Sequence, residues 1–415
     1  MTTFLLKSLG CKVSQYDGER LAEKLRQHGL QPVDDAPDVF ILNGCSVTGR
    51  ASQKVRQTLR AARRNWPTVK LVLAGCEARL VTQRHQELPD IDWLLKDGET
   101  ASVEAMLAAL ALDVTPVSCE KTLSGPISAK TRAFLKIQDG CNQFCAYCIV
   151  AHLRGEEWSR PVEDAVAEAR NLVAEGHREI VLTGIHLGHY RPSLLHLLWQ
   201  LDLVDGLERI RLSSIEPVEV TDDLIDWVAT SPKACRHFHL PLQSGCDKTL
   251  KAMRRPYLTA DFRAIVDKIR RRMPLAAITT DLIVGFPGET EADFAETLSF
   301  LEEIRFSRLH IFRFSPRDGT PAATMPDQVD NVTRAERAGR VEQVWQKCSS
   351  DFYRSFVGQP LEVLWETLEN GQLCGFSREY VPCRLARADE SLLNHLSPVK
   401  GLELVSEHLS VILDN

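Results

Sequence analysis

Short apolar runs alternate with amphipathic stretches along most of the chain. TFLLKSL (3–9), VFILNGC (39–45) and KLVLAGC (70–76) are nearly continuous apolar segments, the pattern of strands buried on both faces. Leu21 and Leu25 lie one turn apart in a helix predicted over 17–29, which stops at Gly29. Ala51, Val55, Leu59 and Ala62 share one face of a second helix over 50–64. A short strand at 93–95 and a helix over 101–111 complete a parallel α/β domain over 1–112. Residues 113–132 carry Pro, Gly and Ser without periodicity and read as a linker.

From 133 to 354 the alternation is longer. Strands are predicted at 133–138, 179–184, 209–214, 237–243, 277–286 and 308–314, with helices at 161–175, 221–230, 259–272 and 290–304. Six such units predict an open, partial (β/α)6 barrel, whose active residues sit at the carboxyl ends of its strands. A helix over 333–354 leads to residues 355–415, where short strands predict a small antiparallel β-barrel. The expected fold class is therefore α/β, in three parts.

The chemistry lies in cysteines at strand ends. Cys141, Cys145 and Cys148 follow the first barrel strand with Cys-x₃-Cys-x₂-Cys spacing. Three thiolates on one loop hold three corners of a [4Fe–4S] cube and leave the fourth iron open to a small molecule. Structural zinc wants four ligands, commonly paired knuckles, and only the lone His152 lies nearby. Cys11, Cys45 and Cys76 each end an N-terminal strand, so a parallel sheet brings them to one edge. Buried cysteines also pack simply as small hydrophobes, but packing does not explain three strand ends. Glycines at 10, 44 and 75 allow tight backbone there. Cys119 in the linker and Cys235, Cys246 and Cys348 fall at no ligand spacing.

Composition narrows the setting. Twelve cysteines in 415 residues, with no signal peptide and no long apolar run, point to metal or redox work in the cytoplasm, with no membrane partner. The net charge of −6 does not announce a nucleic-acid binder, so any such surface is local.

At FLKIQDGCNQFCAYC (134–148) the chain resembles the radical S-adenosylmethionine (radical SAM) enzymes. In them the open iron is chelated by SAM, and the aromatic before the last cysteine, here Tyr147, packs beside the adenine. A three-cysteine domain ahead of that loop resembles the methylthiotransferase family across almost the whole chain. The resemblance implies two [4Fe–4S] clusters: a SAM-binding one on Cys141, Cys145 and Cys148, and a sulfur-carrying one on Cys11, Cys45 and Cys76. It also implies SAM contacts from strand ends: Thr183, Gly184, Ser214, Glu216, Gln243 and Gly285. The implied reaction inserts a methylthio group at an unactivated C–H bond, which acid–base residues alone cannot attack.

LGCKVSQYDGE, LTGIHLGHY, SSIEPVE and HLPLQSGCDKTLKAMRRPY resemble most closely the branch acting on N6-threonylcarbamoyladenosine at tRNA position 37. The alternatives are N6-isopentenyladenosine, a ribosomal-protein aspartate, or a non-catalytic Fe–S protein that binds RNA. Ala151 and His152 replace the family's usual Pro-Tyr, and Ser14 stands where Asn is common, but no cysteine is lost. The implied partners are a tRNA anticodon stem-loop, a flavodoxin- or ferredoxin-type electron donor and a sulfur donor. Arg154, Arg160 and Arg317 are candidates for the threonyl carboxylate.

The last domain resembles the RNA-binding TRAM barrel, yet residues 355–415 hold four Lys/Arg against nine Asp/Glu. Its acidity points to holding domains together, or to RNA contact through a few groups such as Phe376 and Tyr380. Residues 46–76 instead carry seven Lys/Arg and no acid. Arg56, Arg60, Arg63 and Arg64 fall on one face of the second helix and form the candidate phosphate stripe.

Overall fold

The computed structural model describes residues 1–86, 88, 90–112, 131–386 and 389–414. Cys119 and most of the expected linker lie outside the described residues.

The N-terminal part runs β1 (Thr3–Ser8), α1 (Lys12–Gln27), β2 (Gln31–Pro32), β3 (Val39–Gly44), α2 (Gly49–Asn65), β4 (Lys70–Ala74), α3 (Gly75–Gln83), β5 (Trp93–Leu95) and α4 (Thr100–Ala109). Its sheet is parallel, in the order β2-β1-β3-β4-β5. The strands are apolar on both sides because helices cover both faces. Leu21, Leu25, Val103 and Met106 pack on one face, and Val55, Leu59, Ala78 and Val81 on the other. Helix α1 starts five residues earlier than its apolar spacing predicts. Gly18 in its middle lets it press on β1, where a Cβ would lie 2.0 Å from Ser8 Oγ. Helix α3 was not predicted, since Gly75-Cys76 reads as the end of a strand.

The barrel follows with β6 (Arg132–Lys136), β7 (Gln138–Asp139), α5 (Val150–Arg154), β8 (Trp158–Ser159), α6 (Val162–Ala174), β9 (Glu179–Thr183), α7 (Leu194–Asp202), β10 (Arg209–Leu212), α8 (Asp222–Thr230), β11 (His237–His239), α9 (Asp247–Ala252), α10 (Thr259–Arg272), β12 (Ala277–Val284), α11 (Glu291–Ile304) and β13 (Arg308–Arg313). All six predicted barrel strands form. They make two parallel three-stranded sheets, β6-β9-β10 and β11-β12-β13, joined by single bridges such as Ser214 to His239. Helix α12 (Asn331–Arg354) packs on β13 and leads to the last part.

Alternation along these strands divides the barrel wall. Ala133, Leu135, Ile180, Leu182, Ile210, Leu212, Phe238, Ile278, Leu282 and Leu309 face the helices and form the main core. The opposite set faces the lumen and is largely polar: Arg132, Lys136, Glu179, Thr183, Arg211, His237, His239, Thr279, Asp281 and His310.

The chain ends in a closed barrel of β14 (Pro360–Glu369), β15 (Gln372–Ser377), β16 (Pro382–Leu385), β17 (Leu396–Val405) and β18 (His408–Leu413). Four of its pairings are antiparallel, as expected. The fifth, β16 with β18, is parallel and closes the barrel.

This acidic module caps the amino-terminal end of the lumen. Arg211 donates to the carbonyls of Ser377 and Arg378, and Arg209 to those of Glu362 and Phe376. Glu366 pairs with Arg132 at 2.9 Å. Tyr380 stacks on His237 with ring centroids 4.8 Å apart, and on Phe376 at the same distance. Phe376 and Tyr380 are thus interdomain packing groups, not exposed platforms for bases. Two of the module's carboxylates, Glu362 and Glu366, pair with the barrel's Arg209 and Arg132. Among the described residues no helix is long and apolar enough to cross a membrane.

Glu179 is the buried counter-ion at this junction, 2.6 Å from Arg211 and 3.5 Å from Arg209. Burial would raise its carboxyl, but the three arginines 211, 132 and 209 outweigh burial and pull it to about 2. Glu179→Gln should cost about 3–5 kcal/mol of unfolding free energy, because it leaves buried cations unpaired; chemical denaturation measures this. The wild-type contribution is complete above the ordinary carboxyl value of 4.5 and is lost as pH falls toward about 2. The Gln variant should lack that acid-dependent decline.

Candidate functional site

The three N-terminal cysteines sit where β1, β3 and β4 hand over to helices. Cys11 is the N-cap of α1, Cys45 lies just before α2, and Cys76 is in the first turn of α3. Cys11 and Cys76 thus sit at helix amino ends, whose dipoles favour thiolate. Gly10, at φ +132°, lets the loop close on Cys45, whose Cβ lies 2.9 Å from where a side chain would begin. Burial pushes the Cys45 thiol up to about 11, and Cys11 and Cys76 add to the shift, so the sulfurs stand within reach of one another's charge.

The second trio lies on the loop between β7 and α5. Cys141 N–H donates to Gly155 O and Ala146 N–H to Met253 O, pinning the loop on both sides. Burial pushes Cys148 up to about 12, with Cys145 and Cys141 adding to it. All six cysteines are free thiols.

The two loops meet. Cys76 and Leu80 pack with Ile149 and Leu153 in one small apolar cluster. Around it, Lys136 lies 2.5 Å from Asp17 and 3.0 Å from Asp139, and Arg154 lies 2.8 Å from Asp17 and 3.0 Å from Asp139. Tyr16 donates to Glu168, which also holds Arg20 and Arg160. Arg154 and Arg160 are thus structural cations across the domain junction, which removes them as candidates for a substrate carboxylate. Arg317 is buried and donates to Ser52 Oγ.

A chamber of about 170 Å³ lies beside Cys148, lined by Val47, Thr48, Tyr147, Gln243, Asp281 and Arg313 among others. A larger cleft of about 670 Å³ opens beside Cys76 and the Asp17–Arg154 lattice.

The other expected contact residues fall at the mouth of the barrel. Thr183 is fully buried at the end of β9, and its hydroxyl has no hydrogen-bond partner; the Ser213 hydroxyl at the end of β10 is orphaned in the same way. Ser214, partly buried, bridges to His239 through the backbone. Gly184 packs against Gln138, and Gln243 takes φ +66° and lines the chamber. Glu216 is engaged by Arg255. Gly285 departs from expectation: the side where a Cβ would stand is filled by Arg334 at 2.4 Å, so that face meets a side chain and not a ligand space.

Two neighbours of the cysteine loop were not singled out from the sequence. Arg255 Nη1 lies 3.1 Å from Cys145 Sγ and reaches toward the Tyr147 hydroxyl. Its side chain is only 2% exposed. His186 Nδ1 lies 3.8 Å from Cys141 Sγ. Burial opposes charge on His186, but Cys141 and Glu219 outweigh it and hold the ring protonated up to about 11. The only sequence signal for either was position: one follows a strand end by three residues, the other adjoins a tight turn.

On the proposed phosphate stripe, Arg56, Arg60 and Arg64 are exposed. Arg56 lies 3.9 Å from Glu77. Arg63 is turned inward, bonding Asp92 and the carbonyls of Pro67, Val69 and Asp90. It staples α2 to the next strands and leaves the stripe with three members.

Residues 3–95 match the Uncharacterized protein family UPF0004, and residues 135–301 match the Radical SAM superfamily. The chain is 34% identical over 426 residues to a Bacillus subtilis (strain 168) protein named Threonylcarbamoyladenosine tRNA methylthiotransferase MtaB, covering 97% of this chain and 94% of that one. The chain belongs to the radical SAM tRNA methylthiotransferase family. A relative in Corynebacterium urealyticum (strain ATCC 43042 / DSM 7109), named tRNA-2-methylthio-N(6)-dimethylallyladenosine synthase, is 36% identical over 87% of the chain and 72% of its own length. The solved radical SAM methyltransferase TsrM from Kitasatospora setae superposes with a TM-score of 0.58 at 14% identity, over 78% of this chain and 77% of that one, a likeness of fold alone.

Radical SAM enzymes use SAM and a [4Fe–4S] cluster. The residues present fit both. Clustered free thiols are the ligands such a cube takes, and the orphaned Thr183 and Ser213 hydroxyls are buried polar groups awaiting a polar ligand. In protein reconstituted with iron and sulfide, Arg255→Gln should lower the reduction potential of the SAM-binding cluster, since it removes a cation and an N–H donor beside Cys145. A redox titration followed by electron paramagnetic resonance reads the shift, and an unchanged potential refutes it.

Proposed function

We propose that this enzyme adds a methylthio group to C2 of N6-threonylcarbamoyladenosine beside the tRNA anticodon, forming 2-methylthio-N6-threonylcarbamoyladenosine. The observation that carries the reading is the packing of the two three-cysteine loops against each other through Cys76, Leu80, Ile149 and Leu153, which gives radical formation and sulfur delivery a common neighbourhood. Cys141, Cys145 and Cys148 would hold the SAM-binding cluster, and Cys11, Cys45 and Cys76 a second [4Fe–4S] cluster. When bound, these groups and SAM supply a 5′-deoxyadenosyl radical and a methylated sulfur, the two reagents a C–H methylthiolation needs.

The chain's own residues orient and enclose. Thr183, Ser213, Ser214 and Gln243 offer polar contacts to SAM at the strand ends, with Tyr147 beside them. Arg255 keeps Glu216 and Cys145 in fixed relation. The lattice of Asp17, Asp139, Lys136 and Arg154 ties the two domains together on one wall of the cleft beside Cys76. Arg56, Arg60 and Arg64 receive RNA phosphates, while a flavodoxin- or ferredoxin-type protein supplies electrons and a separate donor supplies sulfur. The named relative that aligns over 97% of this chain supports threonylcarbamoyladenosine as substrate. The dimethylallyladenosine relative keeps the isopentenyl nucleoside as the second reading.

Mass spectrometry of tRNA nucleosides from cells lacking the protein separates the two. Loss of methylthiolation on threonylcarbamoyladenosine is expected; loss on isopentenyladenosine instead would shift the assignment. Replacing Cys11, Cys45 and Cys76 with Ala should lower iron per chain from roughly eight to roughly four while leaving SAM cleavage intact. Exchanging Arg56, Arg60 and Arg64 for Glu should weaken tRNA binding and flatten its salt dependence by about one unit of slope per lost contact. Unaltered binding would refute the stripe.

A further inference from the structure

Phe312 and Phe314 flank Arg313, the last residue of β13, and meet opposite fates. Phe314 is 4% exposed, with its ring edge-on to Phe286 at 5.5 Å and the Arg334 guanidinium over it at 5.5 Å. Phe312 is 39% exposed, and among the described residues no ring stacks on it and no cation covers it. Period-two alternation puts it on the lumen face with His310, beside its register partner Ile283. Phe312 and Ile283 both line the chamber beside Cys148. The first domain adds a second uncovered apolar group to the same chamber: Val47, two residues after Cys45, is 43% exposed. Single exposed apolar residues are ordinary, but two from different domains that bound one small cavity mark a ligand site.

The chamber's polar rim says what the ligand is. Thr48 Oγ1 accepts from Ala51 N–H at 3.1 Å and Ser315 Oγ accepts from Gly49 N–H at 3.0 Å, so each hydroxyl keeps its own proton to donate. Flat apolar faces edged by acceptors describe a purine, whose ring nitrogens accept hydrogen bonds. The volume of about 170 Å³ is the room of roughly six waters, which suits one base. We propose that Phe312 is the stacking platform for the base that is modified, with Val47 on its other face, so that the target adenine leaves the anticodon loop and enters this chamber. This rests on the reading above that the substrate is a tRNA adenosine, and not on which group its N6 carries. An enzyme that acts on a stacked base must take it out of the stack, and a ring already in place offsets the stacking given up. Phe312 is such a ring: Val284 pairs in register with Arg313 and accepts from Phe314 N–H at 2.9 Å, which fixes the end of the strand. The slot also suits the reaction, since Cys148 lines it and Cys45 lies two residues from its far wall.

The other adenine in the reaction belongs to SAM, expected beside Tyr147, and the test separates the two. Reconstituted enzyme is titrated with anticodon stem-loops that carry either an adenosine or an abasic ribose at the target position, with Kd from fluorescence anisotropy. SAM affinity is measured without RNA by equilibrium dialysis. Phe312→Ala should weaken binding of the adenosine loop by about 5–150-fold, the worth of one base–aromatic stack, and leave binding of the abasic loop unchanged. The cost of unstacking the base is common to both proteins and cancels in this comparison. Phe312→Tyr keeps the ring and should bind both loops as the wild type does. Equal effects of Phe312→Ala on the two loops, or none on either, overturn the proposal. A Phe312→Ala protein that loses SAM affinity and keeps its RNA affinities assigns the chamber to SAM and also overturns it. If the mass spectrometry above finds isopentenyladenosine as the nucleoside, the threonylcarbamoyl reading fails while the two loops still decide the slot. A wild type that binds neither loop refutes the tRNA reading, and the role of Phe312 with it.

Discussion

Everything in this enzyme depends on holding two loops from separate sheets face to face. Each loop carries three thiols, and neither sheet contacts the other through a shared strand. The lattice of Asp17, Asp139, Lys136 and Arg154 does the holding. A buried ion-pair network is weak evidence for net stability, since desolvation offsets the attraction. Its value here is geometric. Apolar surfaces slide, whereas two cations each shared by two carboxylates admit one arrangement. The small apolar cluster of Cys76, Leu80, Ile149 and Leu153 adds contact, and the charges set its register.

The same logic organises the far end of the barrel. Strands that are apolar outward and polar inward leave a lumen that must be sealed without an oily plug. The C-terminal module supplies backbone carbonyls, carboxylates and the Tyr380 ring to the arginines of β6 and β10. Part of its negative charge, Glu362 and Glu366, complements that arginine-rich floor.

Much of this was legible in the chain. The alternation of strand-like runs with helical stretches marked the barrel, and continuous apolar runs marked the buried strands of the first sheet. Cysteines at strand ends located the site because parallel sheets present those ends together. What escaped was decided by tertiary partners. Arg63 and Arg255 look like solvated charges until Asp92 and Glu216 are brought opposite them by other elements. Gly285 looks like a ligand-facing turn until α12 lays Arg334 across it. Gly18 in α1 fits against Ser8, a close approach that no helical spacing reports. The parallel pairing of β16 with β18 is a closure rule of the whole barrel and leaves no local mark.

The division of the barrel wall has a consequence for how such enzymes diverge. Its aliphatic core lies between strands and helices, so the fold is secured from outside. Lumen side chains such as His239, Asp281 and His310 contribute little to that core and can be exchanged with small effect on folding. A lineage can therefore re-tune what its interior accepts while the scaffold and both cysteine loops stay as they are. Inward-facing positions outside the paired set of Glu179, Arg132, Arg211 and Lys136 are thus where the interior can change while the scaffold stays.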